Sequence, residues 1–291
     1  MRQPVRIGFI GCGGHSGRHA DVVLRIPDDF KIVGAVDIKE GVAENFLASR
    51  GVHALATTKL SEFMAIEDMD AVLIGTPHSS HLDLCNKILF MWHRGTHIFC
   101  EKPLWEGPHQ DEGRLIIEEA AKRVIVFSSC HPRRYEREFI YIKAYLPMLI
   151  TKYGKPLEVR FQFFYHEPST EWKRFSGYRR LKSRTFRNEL EIVFEAGRAR
   201  VESALDSSTG IVKSTFSSFP FDINAEGSGS PHHYRFRPHQ YDDSLTYITK
   251  NFAATIRGTE LYYLTFDDLI TNTSICNELV AHEYAAISCE T

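Results

Sequence analysis

Two short stretches hold the residues best suited to chemistry. The first is Gly11-Cys12-Gly13-Gly14-His15-Ser16, whose glycines let backbone N–H groups approach an anionic ligand closely. The second is Glu101-Lys102-Pro103, an amine set between an acid and a proline. A lysine held against a reacting oxygen can share or donate a proton and offset developing negative charge. Burial beside a ligand lowers the pKa of such an amine, which suits that work. A further acid, Asp37, closes the apolar run from Lys31 to Val36. An acid about twenty residues beyond a glycine bend can accept hydrogen bonds from the hydroxyls of an adenosine ribose.

These residues need particular elements to position them. Val5 to Ile10 reads as a buried strand, the glycines as a tight bend, and the residues from Ser16 onward as a helix. The full fingerprint has glycine at a third place, where this chain has Ser16, a residue small enough for helix and strand to pack closely. Alone, the glycines fit an ordinary turn and Asp37 fits a solvated strand end. The order strand, bend, helix, strand, acid is what points to a bound dinucleotide. The bend (Gly11, Cys12, Gly13, Gly14, His15, Ser16) is expected to take the pyrophosphate, with Asp37 and Ile38 at the ribose. Asp37 favours NAD over NADP, because a 2′-phosphate beside a carboxylate is repelled, although Lys39 softens that preference.

Strands are expected at 5–10, 32–36, 70–75, 97–100 and 124–128, with helices at 16–26, 40–50, 59–66, 79–93 and 108–122. Short apolar strands alternating with helices predict a doubly wound parallel sheet with its ligand at the carboxyl edge. After about residue 128 the pattern changes. A helix over 135–153 precedes runs with period-two alternation at 157–166, 186–194, 199–205 and 210–216. A flexible loop is expected at 224–231, then helices at 241–257 and 266–286. The predicted fold is α/β: a Rossmann domain over 1–127 and, over 128–291, an α+β domain with an open, mostly antiparallel sheet.

Composition narrows the classes. At 291 residues the chain has room for two domains, and 43% hydrophobic with 25% charged residues is the balance of a soluble globular protein. A net charge of −2 gives no reason to expect a nucleic-acid partner or an anionic membrane surface. No apolar stretch is long enough for a membrane helix, and no leader pattern precedes the first strand. Six scattered cysteines without CxxC spacing read as reduced thiols and a cytoplasmic location. His232-His233 has no Cys or carboxylate at ligand spacing, so no metal is expected.

Further motifs follow the third and fourth strands: Gly75-Thr76-Pro77-His78-Ser79-Ser80-His81 and Cys100-Glu101-Lys102-Pro103-Leu104. With the glycine bend, and with His131-Pro132-Arg133-Arg134-Tyr135 and Gly154-Lys155-Pro156, they make the chain resemble the glucose–fructose oxidoreductase, inositol dehydrogenase and MocA family. The resemblance implies NAD(P)-dependent hydride transfer to or from a sugar, cyclitol or similar polyol. It implies that Thr76, Pro77 and His81 lie under the middle of the cofactor, that Glu101 and Lys102 face the nicotinamide, and that a cis-capable Pro103 aims Lys102 at the substrate hydroxyl. It also implies a homodimer or homotetramer formed through the second sheet, drawing on Phe161 to Tyr165 and Ile192 to Phe194.

One departure stands out. The family presents an aspartate and a histidine to the substrate from a helix in the second domain, and no His or Asp occurs here between Glu171 and Glu189. Two explanations stay open: the protein lacks that helix, or a longer form of it carries a segment that this sequence omits. Lys102 is therefore the principal catalytic candidate, with His166, at the end of the strand 157–166, as its substitute partner. His166 also fits an ordinary structural histidine. The departure keeps a second functional class in play, a cofactor-binding sensor that has lost the chemistry. A third is a lyase or hydrolase that uses the nicotinamide transiently.

Overall fold

The computed structural model describes residues 3–91, 95–105, 110–164, 185–206, 209, 211–221, 232–240 and 243–260. The chain divides into two compact units, one running to His131 and resuming at Leu245, the other spanning Pro132–Ser244.

The first unit is built on six parallel strands: β1 (Val5–Ile10), β2 (Phe30–Val36), β3 (Leu55–Thr57), β4 (Ala71–Ile74), β5 (His97–Cys100) and β6 (Phe127–Ser129). Helices α1 (Gly14–Arg25), α2 (Val42–Ala48), α3 (Leu60–Met64), α4 (His81–Met91) and α5 (Gln110–Lys122) make the crossovers. Ile7, Phe9, Val72, Leu73, Ile98 and Phe99 are buried, as expected of strands covered on both faces. The strand order is β3-β2-β1-β4-β5-β6, so the winding reverses between β1 and β4. That reversal is where open α/β sheets bind ligands. β3 is not among the strands expected from the sequence. It has only three residues, with Leu55 at 41% exposure, too little for a periodic signal.

Register then sets the functional edge. Ile10 lies opposite Val36 on one side and Ile74 on the other, Ile74 opposite Cys100, and Cys100 opposite Ser129. The next residue in each strand therefore falls in one row. Across the carboxyl edge that row reads Asp37, Gly11, Gly75, Glu101, Cys130.

In the second unit, α6 (Arg137–Tyr153) packs on an antiparallel sheet of β7 (Pro156–Phe164), β8 (Thr185–Phe194), β9 (Gly197–Asp206), β10 (Ile211–Pro220), β11 (His232–Arg235) and β12 (His239–Gln240). The order is β11-β10-β9-β8-β7, with β12 also on β10. Ile142, Leu149, Tyr153, Ile192, Phe194, Val201 and Phe216 form its core. This corrects one expectation. Ile192 and Phe194 belong to the core beneath α6 and cannot line an outer oligomer face. The alternate residues of β8 and β9 carry charge instead, with Arg200 paired to Glu189 and Glu202, and Arg198 to Glu191. Strand alternation places successive side chains on opposite faces. Tyr165 and the expected loop at 224–231 lie outside the described residues.

The helix α7 (Asp243–Ile256) differs from the sequence-based division, because from Leu245 it belongs with the first unit. Phe252 packs on Phe99 of β5 with ring centroids 5.0 Å apart. Just beyond the helix, Arg257 holds Asp29 at 2.7 Å and also donates to the Asp29 carbonyl. The expected helix at 266–286 lies outside the described residues.

Candidate active site

The glycine bend is fixed from both sides. Gly11 turns with φ +83, a conformation that favours glycine, and its N–H donates to the Val36 carbonyl at 2.8 Å. A Cβ at Gly11 would also meet the Thr76 methyl carbon at 2.7 Å. Cys12 donates its N–H to Asp37 Oδ2 at 2.9 Å, while Lys39 donates to Asp37 Oδ1 at 3.0 Å. The carboxylate of Asp37 thus closes the bend and braces the turn after β2. Each of its oxygens keeps a further lone pair for a ligand hydroxyl. Ile38 beside it is 90% exposed.

Gly13 and Gly14 differ in kind from Gly11. A Cβ at either would touch no atom of the protein within 4 Å, and neither needs positive φ. Nothing inside the fold demands glycine there, so the bare backbone leaves room for something from outside. The first helical bond of α1 runs from the Gly17 N–H to the Gly13 carbonyl at 2.9 Å, so the amides of Gly14, His15 and Ser16 precede the helical ladder. The Gly13 cap offers no side-chain bond, and the first turn has no acidic residue. An uncapped helix start beneath a bare cradle suits a pyrophosphate, and these residues fit a dinucleotide on that ground.

Ser16 is fully buried and packs α1 on β4, where a Cβ at Gly75 would lie only 2.1 Å from its hydroxyl oxygen. Its role is the close helix–strand approach. Thr76 receives the Ser80 hydroxyl at 2.8 Å. His81, 1% exposed, sets Nδ1 at 2.8 Å from the Pro103 carbonyl and Nε2 at 3.0 Å from the Thr76 carbonyl. Both ring nitrogens are thus taken by the chain, so His81 ties the loop after β4 to the loop after β5. Burial, opposed by those two carbonyls, pushes its pKa down.

Lys102 is exposed, while Leu104 and Trp105 behind it are each 2% exposed and anchor its loop. The Lys102–Pro103 peptide is cis. Glu101 faces the other way. Its side chain is buried, with Oε1 at 2.7 Å from His19 Nε2 and Oε2 accepting the Lys102 N–H at 3.1 Å. Burial pushes the Glu101 carboxyl up, but the hydrogen bond and charge of His19, then His15 and the Lys102 amide, pull it down to about 2. Cys130 completes the cluster. Its thiol is pushed well up, first by burial and then by the charge of Glu101. Partial burial also lowers the pKa of His15. The Cys12 thiol is pushed up to about 12 by burial and by Asp37, which makes it a poor nucleophile.

The structure therefore gathers Gly11 to Ser16, Asp37, Thr76, His81, Glu101 and Lys102 along one sheet edge. His166 lies outside the described residues. His19 was not singled out by the sequence reading. The available signal was its place three residues after Ser16, on the same face of α1. Among the described residues, His19, Glu101 and Cys130 form the one cluster whose ligand-type atoms all lie within 4.8 Å of one another.

Fold and site together define a two-unit α/β protein of the dinucleotide-binding class. Residues 5–130 match the oxidoreductase family with an NAD-binding Rossmann fold, GFO_IDH_MocA. An inositol 2-dehydrogenase of Rhizobium meliloti (strain 1021) is 28% identical over 141 residues, 48% of this chain and 39% of the relative. Such matches span well under half the length of the curated relatives, 37% to 42%. Among solved structures, GenD2 from gentamicin A biosynthesis in complex with NAD superposes with TM-score 0.64 at 17% identity, covering 94% of this chain and 92% of that one. A variant of KijD10, a 3-ketoreductase from Actinomadura kijaniata in complex with TDP-benzene and NADP, gives TM-score 0.68 at 13% identity, covering 93% and 95%. At these identities the two share the fold with this chain. Among the described residues no helix is long and apolar enough to cross a membrane.

Proposed function

We propose that the protein is an NAD(P)-dependent dehydrogenase or reductase acting on a CH–OH or keto carbon of a sugar, cyclitol or similar polyol. The observation that carries this reading is the row Asp37, Gly11, Gly75, Glu101 on one sheet edge, with the open cradle at Gly13 and Gly14 beside it and Lys102 on the adjoining loop. The bend would hold the pyrophosphate, Asp37 the ribose hydroxyls, and Lys102 the reacting oxygen. A bound nicotinamide supplies the hydride. Lys102 would hold and return the proton at that oxygen and offset its developing charge. The Asp37 carboxylate supports a preference for NAD. The inositol dehydrogenase relative supports the polyol class.

We place the protein in the cytoplasm as a homo-oligomer. The free thiols Cys12, Cys85, Cys100 and Cys130 support the first, and the exposed apolar side chains of Leu157 and Val159 on the edge strand β7 support the second.

The test pairs a thermal-shift titration with NADH and NADPH and a turnover screen against cyclitols and hexoses. Stabilisation by NADH with measurable oxidation of a polyol supports the enzyme; stabilisation without turnover of any polyol favours a sensor. No stabilisation by either coenzyme removes both.

A further inference from the structure

We infer that His19 is a positioning residue: through the Glu101 carboxylate it fixes the backbone of Lys102 relative to helix α1. The inference rests on the reading of Lys102 as the reactive amine.

The geometry is a relay across three elements. His19 lies on α1, the helix that carries the phosphate bend; Glu101 follows β5; Cys130 follows β6. Their sheet register sets Glu101 and Cys130 side by side. His19 Nε2 is 2.7 Å from Glu101 Oε1, and Lys102 N–H reaches Glu101 Oε2 at 3.1 Å. An ionised carboxylate only accepts hydrogen bonds, so the imidazole donates from Nε2. His19 is 1% exposed, its ring set edge-on to Phe99 at 5.4 Å, and its Nδ1 is buried with no hydrogen-bond partner. The ring is therefore held by one polar bond and one aromatic contact. That arrangement fits a strut between α1 and Glu101 and leaves no second acceptor for a proton relay.

This also changes how Glu101 works. A carboxylate facing the nicotinamide would have to be accessible. Here both oxygens are occupied by the chain, and only the lysine next to it is exposed. Buried charge is retained where it is paired and hydrogen-bonded, and removing one partner leaves the other stranded. Loss of the His19 donor should thus free the Glu101 side chain and loosen the Lys102 amide, while the bare amides at Gly13 and Gly14 stay in place.

The experiment measures hydrogen exchange at the Lys102 amide by mass spectrometry on the full chain, alongside the Kd of NADH from quenching of tryptophan emission. His19→Phe keeps the ring and removes the donor; His19→Gln keeps a donor at similar reach. In His19→Phe, protection of the Lys102 amide should fall by about tenfold or more, and in His19→Gln it should stay within about threefold of wild type. NADH affinity should stay within about threefold in both. Unchanged protection in folded His19→Phe, or loss in His19→Gln as large as in His19→Phe, overturns the inference. Where His19→Phe fails to fold, His19→Leu takes its place: it must lower the protection of the Lys102 amide, and unchanged protection is again fatal. Failure of the wild type to bind NADH would sink the oxidoreductase reading alone, because the amide measurement needs no coenzyme.

Discussion

The N–H of Cys12 donates to the carboxylate of Asp37 across 2.9 Å, joining the glycine bend after β1 to the acid after β2. The acid that would recognise the ribose is therefore also part of the scaffold that shapes the phosphate bend. Replacing Asp37 by Ser should act twice. Removing a carboxylate that accepts two backbone N–H groups should cost about 1–3 kcal/mol of stability. Removing its charge should shift the ratio of NADPH to NADH affinity by about tenfold or more toward NADPH, roughly 1.4 kcal/mol. Thermal melts and paired titrations read the two effects separately. An unchanged affinity ratio would strip Asp37 of its ribose role while leaving the structural one.

The glycines of the bend divide into two kinds, and alanine separates them. At Gly11 an added Cβ meets Thr76 and sits on a positive φ, which costs about 1–2 kcal/mol before any clash. Gly11→Ala should therefore lower Tm by several degrees. At Gly13 the Cβ points into open space, so Gly13→Ala should melt close to wild type yet bind NADH about tenfold more weakly. Equal NADH affinity in wild type and Gly13→Ala would show that no ligand approaches that backbone.

Much of this edge was legible in the sequence because its determinants are local. A glycine bend, an acid closing a strand and a Glu-Lys-Pro triplet each impose their geometry within a few residues. What was not legible depends on the register of distant strands. His19 and Glu101 are 82 residues apart, and only the β1–β4–β5 pairing brings α1 over the end of β5. The two carbonyls beside the ring nitrogens of His81 sit on the loops after β4 and β5, and no local pattern encodes their positions. In the second unit, period-two alternation was visible in β8, but which of its two faces α6 would cover was not.

Lys102 can be separated from coenzyme binding. Its side chain is exposed and its loop is anchored by Leu104 and Trp105, so Lys102→Met should fold normally. Loss of a general acid or base typically costs about 10²- to 10⁴-fold in rate, so turnover of the best polyol in the screen should fall by that factor. NADH affinity should stay within about threefold. Full turnover in Lys102→Met would take the amine out of the chemistry.

Buried histidines give the fold a defined response to acid. Burial pushes down the pKa of His97 and of His81; His97 faces Asp70, and His81 faces Glu101 and His78. His97 Nδ1 accepts the Val126 N–H at 3.0 Å, which requires an unprotonated nitrogen. With a folded pKa below the unfolded value, the unfolded state holds more protons as pH falls through about 6.5. Stability from these groups is thus complete above about pH 7 and is lost on acidification until the folded pKa is passed, at up to roughly 1.4 kcal/mol per pH unit for each group. Glu101 adds a second window: its carboxyl is held at about 2 against an ordinary 4.5, so its contribution fades between those values. Chemical denaturation at successive pH values from 8 to 5 should show stability falling below about 6.5. His97→Asn, which keeps an acceptor near Nδ1 and cannot titrate, should flatten that slope, and an identical slope in wild type and variant would remove His97 from the response.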